Sequence, residues 1–124
     1  MMVTRRKQKL QEAGIDVEAA MERMMQNEEL FVRCLGRFLK DENYGRLKSA
    51  FASGDREAAL QASHTLKGVC GNLSMDRLFE LLQEQVQLLR SAEWERAEKM
   101  MPQIEEQYGK MVRSIEESRQ AGEK

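Results

Sequence analysis

The sequence predicts an all-α protein: an up-and-down four-helix bundle with additional short helices at its N-terminal end, packed across it. Three observations lead there. Glycine and proline are sparse, eight and one among 124 residues, and Ala, Leu, Glu, Gln, Lys, Arg and Met fill the stretches between them, all strong helix formers. No stretch alternates apolar and polar residues with the β-branched enrichment of a strand. The links between the helical stretches are short, which makes successive long helices antiparallel neighbours.

The elements follow in order. A first helix is predicted over residues 4–13, ended by Gly14, since glycine adopts the left-handed conformation that closes a helix. Asp16 N-caps a second that ends near Gln26, its carboxylate accepting from a free first-turn N–H. A third covers residues 28–40, where Leu30, Phe31, Cys34, Leu35, Phe38 and Leu39 recur at helical spacing. A fourth spans 43–52, with Leu47, Ala50 and Phe51 on one side, and stops at Ser53-Gly54. Asp55 caps a fifth over 56–73 and Ser74 a sixth over 75–91, which carries Leu78, Phe79, Leu82, Val86 and Leu89. The last runs over 93–118, with Trp94 anchoring its start and Pro102 imposing a kink or short break. The chain thus divides into a basic N-terminal segment (1–13), a bundle domain (14–118) and a frayed tail (119–124). Met24, Met25, Met100 and Met101 are expected as adaptable packing filler, and Cys34 and Cys70, on apolar stripes, as buried thiols.

Composition removes most function classes. With 20 Lys+Arg against 21 Asp+Glu the formal charge is −1, which argues against a dedicated nucleic-acid binder with its strongly basic face. Arg5, Arg6, Lys7 and Lys9 are expected as a solvated helix face or mobile tail. No apolar run approaches the ~20 residues of a membrane span, and no apolar region follows the basic start as a secretory signal requires. A cytoplasmic location with reduced thiols is expected. There is one histidine, so no His/Cys zinc site of the usual clustered spacing can be assembled, and a Ser-His-Asp device would have to rest on His64 alone. No phosphate-binding G-x-x-x-x-G-K-[ST] loop and no carboxylate cluster with metal spacing occurs.

One helix face carries chemistry. At about 100° per residue, Ala59, Ala62, Leu66, Val69, Cys70 and Leu73 form the core stripe of the fifth helix. His64 lies off it, sharing its face with Lys67, Gly68, Gly71 and Met75 on one side and Leu60, Gln61 and Glu57 on the other. Each glycine inside a helix costs about 0.8–1 kcal/mol relative to alanine, so two close together need an offsetting use. Bare backbone at Gly68 lets a partner approach the imidazole, which is favoured there over close packing. At Gly71, access, close helix packing and a break at Gly71-Asn72 all stay open. Histidine's unperturbed pKa of about 6.5 leaves much of the ring neutral and nucleophilic at physiological pH. The Lys67 ammonium, one turn away, disfavours a second positive charge and stabilises an anion attached to the ring. Such a nucleophile suits carrying a phosphoryl group and not hydrolysis.

The run Ser63-His64-Thr65-Leu66-Lys67-Gly68-Val69-Cys70-Gly71-Asn72-Leu73 closely resembles the signature of histidine phosphotransfer (HPt) domains, roughly A-H-x-L-K-G-x-x-G-x-L. Gly14-Ile15-Asp16-Val17, Glu29-Leu30-Phe31 leading to Phe38-Leu39, Gly54-Asp55 and Leu78 fit the same family, so the resemblance spans residues 14–118. It implies a relay protein of two-component signalling that accepts a phosphoryl group from the aspartyl phosphate of a response-regulator receiver domain and passes it to another. A hybrid sensor kinase is a further implied partner. His64 matches the phosphorylated histidine, Lys67 the residue that pairs with the phosphoryl oxygens, and Gly68 the small residue that admits the receiver. Gly71 is placed with Gly68 as an access position, and Leu60, Gln61 and Met75 as docking residues. The chain itself would hold no cofactor or metal; the receiver would supply the aspartate and Mg²⁺. Two positions depart from the family. Ser63 stands where alanine is commoner, and a Leu-Glu pair of many members gives way to a Gln-rich run, Gln83 to Gln87. Which of these glutamines hydrogen-bonds near the imidazole stays open. The alternative function is a helical adaptor that binds receiver or kinase domains without being phosphorylated. Loss of the histidine or lysine would signal it, and both are present.

Overall fold

The computed structural model describes residues 4–122. Among them are eight helices: α1 (Thr4–Glu12), α2 (Val17–Arg23), α3 (Glu28–Leu39), α4 (Asn43–Ser53), α5 (Arg56–Asn72), α6 (Asp76–Arg90), α7 (Trp94–Glu98) and α8 (Met101–Gly122). Their ends follow local chemistry. Asp16, Asn27 and Asp55 each accept from the backbone N–H three residues on, at 3.0 Å, satisfying a donor the helix cannot use itself. Gly14 (φ 101°) closes α1 and Gly54 (φ 72°) closes α4, conformations in which a side chain would be strained.

Four helices close into the bundle. α4 packs on α5, α5 on α6 and α6 on α8. The ring is completed by Tyr44 of α4, stacked on Tyr108 of α8 with centroids 4.2 Å apart, and by an ion pair between Lys48 and Glu105 at 3.9 Å. The core is apolar, with Phe31, Phe38, Leu47, Leu66, Leu82 and Ile104 fully enclosed. Trp94 opens α7 and packs its ring on Phe51 at 4.6 Å.

α1 lies along α8, with Leu10 completely buried. Arg6 Nε donates to the Ser118 carbonyl at 3.2 Å, while Lys7 pairs with Glu18 at 3.7 Å and Lys9 with Glu117 at 3.5 Å. The N-terminal helix is thus packed on the bundle as expected, and its basic residues form a partly solvated face, with Arg5 and Lys9 exposed and Arg6 and Lys7 half-buried; they are not a mobile tail. A second tie joins the N-terminal helices to the α5–α6 turn. The Asp16 N–H donates to the Ser74 carbonyl at 3.0 Å, Ile15 and Met75 form an isolated antiparallel bridge, and Arg23 Nη2 donates to the Ser74 hydroxyl.

These contacts correct several expectations. Ser74 does not cap α6: its φ is 54°, and its hydroxyl is engaged by Arg23. Met75 occupies the cap position without a side-chain cap bond. The break expected at Pro102 falls at Lys99 and Met100, so Pro102 stands in the first turn of α8, where its missing N–H costs little. Helix α8 continues to Gly122, so residues 119–122 are helical where a frayed tail was expected; residues 123–124 lie outside the described residues. Of the filler methionines, Met25 is 89% exposed, because Met25 and Gln26 take left-handed conformations (φ 54° and 62°) that turn the chain out after α2.

Candidate functional site

The site is built on the outer face of α5. Ala59, Ala62, Leu66 and Cys70 are buried on the inner face, anchoring the helix so that the residues opposite them face solvent. His64 is exposed, Lys67 half-buried and Gly68 exposed, so the expected trio does lie together on one accessible face. No described residue forms a hydrogen bond or ion pair with the imidazole. Leu60 is half-buried and Gln61 exposed, one turn before His64.

The two glycines separate. A Cβ built on Gly68 would meet nothing within 4 Å, so this position is open on the face it shares with His64. At Gly71 a Cβ would lie 3.1 Å from Phe79 Cε1 and 3.2 Å from Cδ1. The bare backbone there lets α6 pack closely, and Gly71 leaves the access set. Met75 leaves the docking set: it is 1% exposed. A helical wheel placed it beside His64, but α5 ends at Asn72 and the left-handed Ser74 turns the chain inward.

Beneath the face is a buried polar chain. The Ser63 hydroxyl donates to Gln85 Oε1 at 2.8 Å, and both residues are completely buried. Gln85 Nε2 donates to the Ala97 carbonyl at 3.0 Å and approaches Met101 Sδ at 3.3 Å. One glutamine of the Gln-rich run is thus singled out, but its recorded partner is the residue before His64, not the imidazole. Gln83 and Gln87 are exposed. The signal was present in the sequence as two separate departures, Ser63 and the glutamines, which the fold unites.

To one side of the face, a groove of about 980 Å³ runs between α4 and α5, lined among others by Arg46, Ser49, Asp55, Gln61 and Thr65 but not by His64. The imidazole is exposed on α5 outside this groove. Among the described residues no group of three or more His, Cys, Asp or Glu is placed to hold a metal ion, and no helix is long and apolar enough to cross a membrane. Burial pushes the Cys70 thiol far above its ordinary range, with Asp41 adding to the shift, which leaves it unreactive as a thiolate.

A family model of the Hpt domain matches residues 40–116, more than half of the chain. No curated protein and no solved structure matches it.

Proposed function

Because the chain belongs to the Hpt domain family, whose members are phosphocarriers of phosphorelays rather than enzymes, we propose that His64 is the phosphoryl-accepting residue. The donor is the aspartyl phosphate of a receiver domain and the final acceptor the aspartate of another. The observation that supports this reading best is the exposed His64 with unobstructed Gly68 one turn along the same face.

The chemistry asks little of this chain. The unprotonated ring nitrogen forms an N–P bond as the aspartyl O–P bond breaks and the carboxylate leaves; the second transfer reverses these bonds toward another aspartate. Such transfer depends on in-line positioning and charge neutralisation. Lys67 offers an ammonium to the phosphoryl oxygens, and the receiver brings its aspartate and Mg²⁺. Leu60 and Gln61 border the imidazole as docking residues. Encounters are transient, through a modest interface, since a carrier must release its partner. A hybrid sensor kinase in the cytoplasm fits as the source of phosphoryl groups.

The test mixes the protein with receiver domains carrying a labelled aspartyl phosphate. Acid-labile, alkali-stable label appears on the wild type and is absent from His64→Gln. Equal labelling of His64→Gln would overturn the assignment.

A further inference from the structure

We propose that Gln85 is a positioning residue for His64, acting through Ser63 to hold α5 at one rotational setting. This rests on His64 being the phosphoryl acceptor.

The amide of Gln85 has a fixed sense. Its Nε2 end is taken by the Ala97 carbonyl and Met101 Sδ, which leaves Oε1 as the acceptor for the Ser63 hydroxyl. Reversing the amide would set two carbonyl oxygens against each other. The chain of bonds therefore runs in one direction, from α5 through α6 to the end of α7, and Ser63, Gln85 and Ala97 are all enclosed in the core. The core around it is apolar, including Leu66, Cys70, Leu78, Leu82 and Ile104. Apolar cores lose uniqueness of packing before they lose stability. A buried polar pair instead penalises every setting in which it is unmade.

Ser63 and His64 are adjacent, about 100° apart around the helix. Any rotation of α5 that opens the Ser63–Gln85 bond carries His64 with it. At a side-chain radius of about 6 Å, a turn of roughly 10° moves the imidazole by about 1 Å, a displacement that can cost about 100-fold in a reaction governed by alignment.

The experiment uses the full chain with Ser63→Ala and Gln85→Met together, which removes both polar groups at similar volume. Three quantities are compared with the wild type: transfer from the receiver that loads the wild type, labelling by phosphoramidate, and backbone relaxation dispersion of α5. Receiver transfer is expected to fall about 10-fold or more. Phosphoramidate labelling needs only an exposed ring and stays at the wild-type rate. Amides of residues 60–68 gain microsecond-to-millisecond exchange that the wild type lacks. Wild-type receiver transfer in the folded double variant would overturn the proposal, as would an equal loss of phosphoramidate labelling. Should the double variant not fold, Ser63→Ala alone carries the same measurements and the same overturning results. If no receiver loads the wild type, the function assigned to His64 fails separately. Dispersion then decides the positioning role, and unchanged α5 amides overturn it.

Discussion

The Ser63 hydroxyl and the Gln85 side-chain amide form a 2.8 Å hydrogen bond between two completely buried residues of neighbouring helices. Ser63→Ala removes the donor and leaves Gln85 Oε1 enclosed without a partner. The expected loss is about 1–3 kcal/mol, the cost of an unsatisfied buried polar group. The Ala97 carbonyl keeps backbone donors from Lys99 and Met100, so adding Gln85→Met strands no acceptor. The double variant is expected to lose less than Ser63→Ala alone. Urea denaturation of Ser63→Ala, Gln85→Met and the double variant checks this; additive losses would show the two side chains to be uncoupled.

The two glycines of the site helix should respond differently to the same substitution. Gly68→Ala replaces a helical glycine where the added methyl meets open space, and a gain of about 0.5–1 kcal/mol is expected. Gly71→Ala gains less, because Phe79 at 3.1 Å must retreat. A bulky side chain at Gly68, as in Gly68→Gln, should slow receiver transfer while the fold stays intact. Thermal unfolding and transfer assays on these variants separate access from packing.

Lys67 is half-buried on the imidazole's face and holds no ion pair with a described residue. If it pairs with the phosphoryl group, Lys67→Ala removes a charged hydrogen bond worth about 1.5–3 kcal/mol. That corresponds to a drop of roughly 10- to 100-fold in transfer rate or phosphoform lifetime. Far-UV circular dichroism should be unchanged. Collapse of helicity would instead make Lys67 a structural residue.

Much of this was legible in the sequence, because it is local. Asp16 and Asp55 cap the helices they were expected to cap, and Gly14 and Gly54 close theirs. His64, Lys67 and Gly68 emerge from one helix as a shared face. What was not legible depends on a second element. The partner of Ser63 is set by the register of α5 against α6, and the role of Gly71 by where Phe79 lands. Ser74 has the composition of a cap, yet Arg23, 51 residues away in the chain, claims its hydroxyl. Met75 was misplaced because a helical wheel has no meaning beyond the residue where the helix stops.

Alkaline pH should weaken the joint between α4 and α8. Burial, with Glu105 and Tyr108 adding to it, pushes the Tyr44 phenol up to about 12, against about 10 in an unfolded chain. The folded state therefore holds its proton more tightly. Stability from this group is complete below pH ~10 and falls as pH rises toward ~12. The Tyr44 hydroxyl is also buried with no hydrogen-bond partner, so Tyr44→Phe should be neutral or stabilising at pH 7. It should also move the alkaline unfolding midpoint upward. Tyrosinate absorbance followed beside circular dichroism tests both; an unchanged midpoint would count against the ring stack as the sensitive joint.

The docking of α1 on α8 makes the last prediction a choice between core and tail. Leu10 is completely enclosed, so Leu10→Ala should cost about 2–5 kcal/mol, as for other core leucines. The same change in an unpacked tail would cost nothing. Lys9→Ala removes only a partly exposed pair to Glu117 at 3.5 Å, and surface pairs contribute at most about 1 kcal/mol. The latch is therefore apolar first and electrostatic second, and raised salt should weaken it little. Because α1 packs on α8 and not on the His64 face, folded Leu10→Ala should transfer phosphoryl groups at the wild-type rate. Denaturation midpoints at two salt concentrations, with transfer measured where the variant is folded, decide the matter. A large salt effect with a small Leu10→Ala loss would reverse the order of the two contributions.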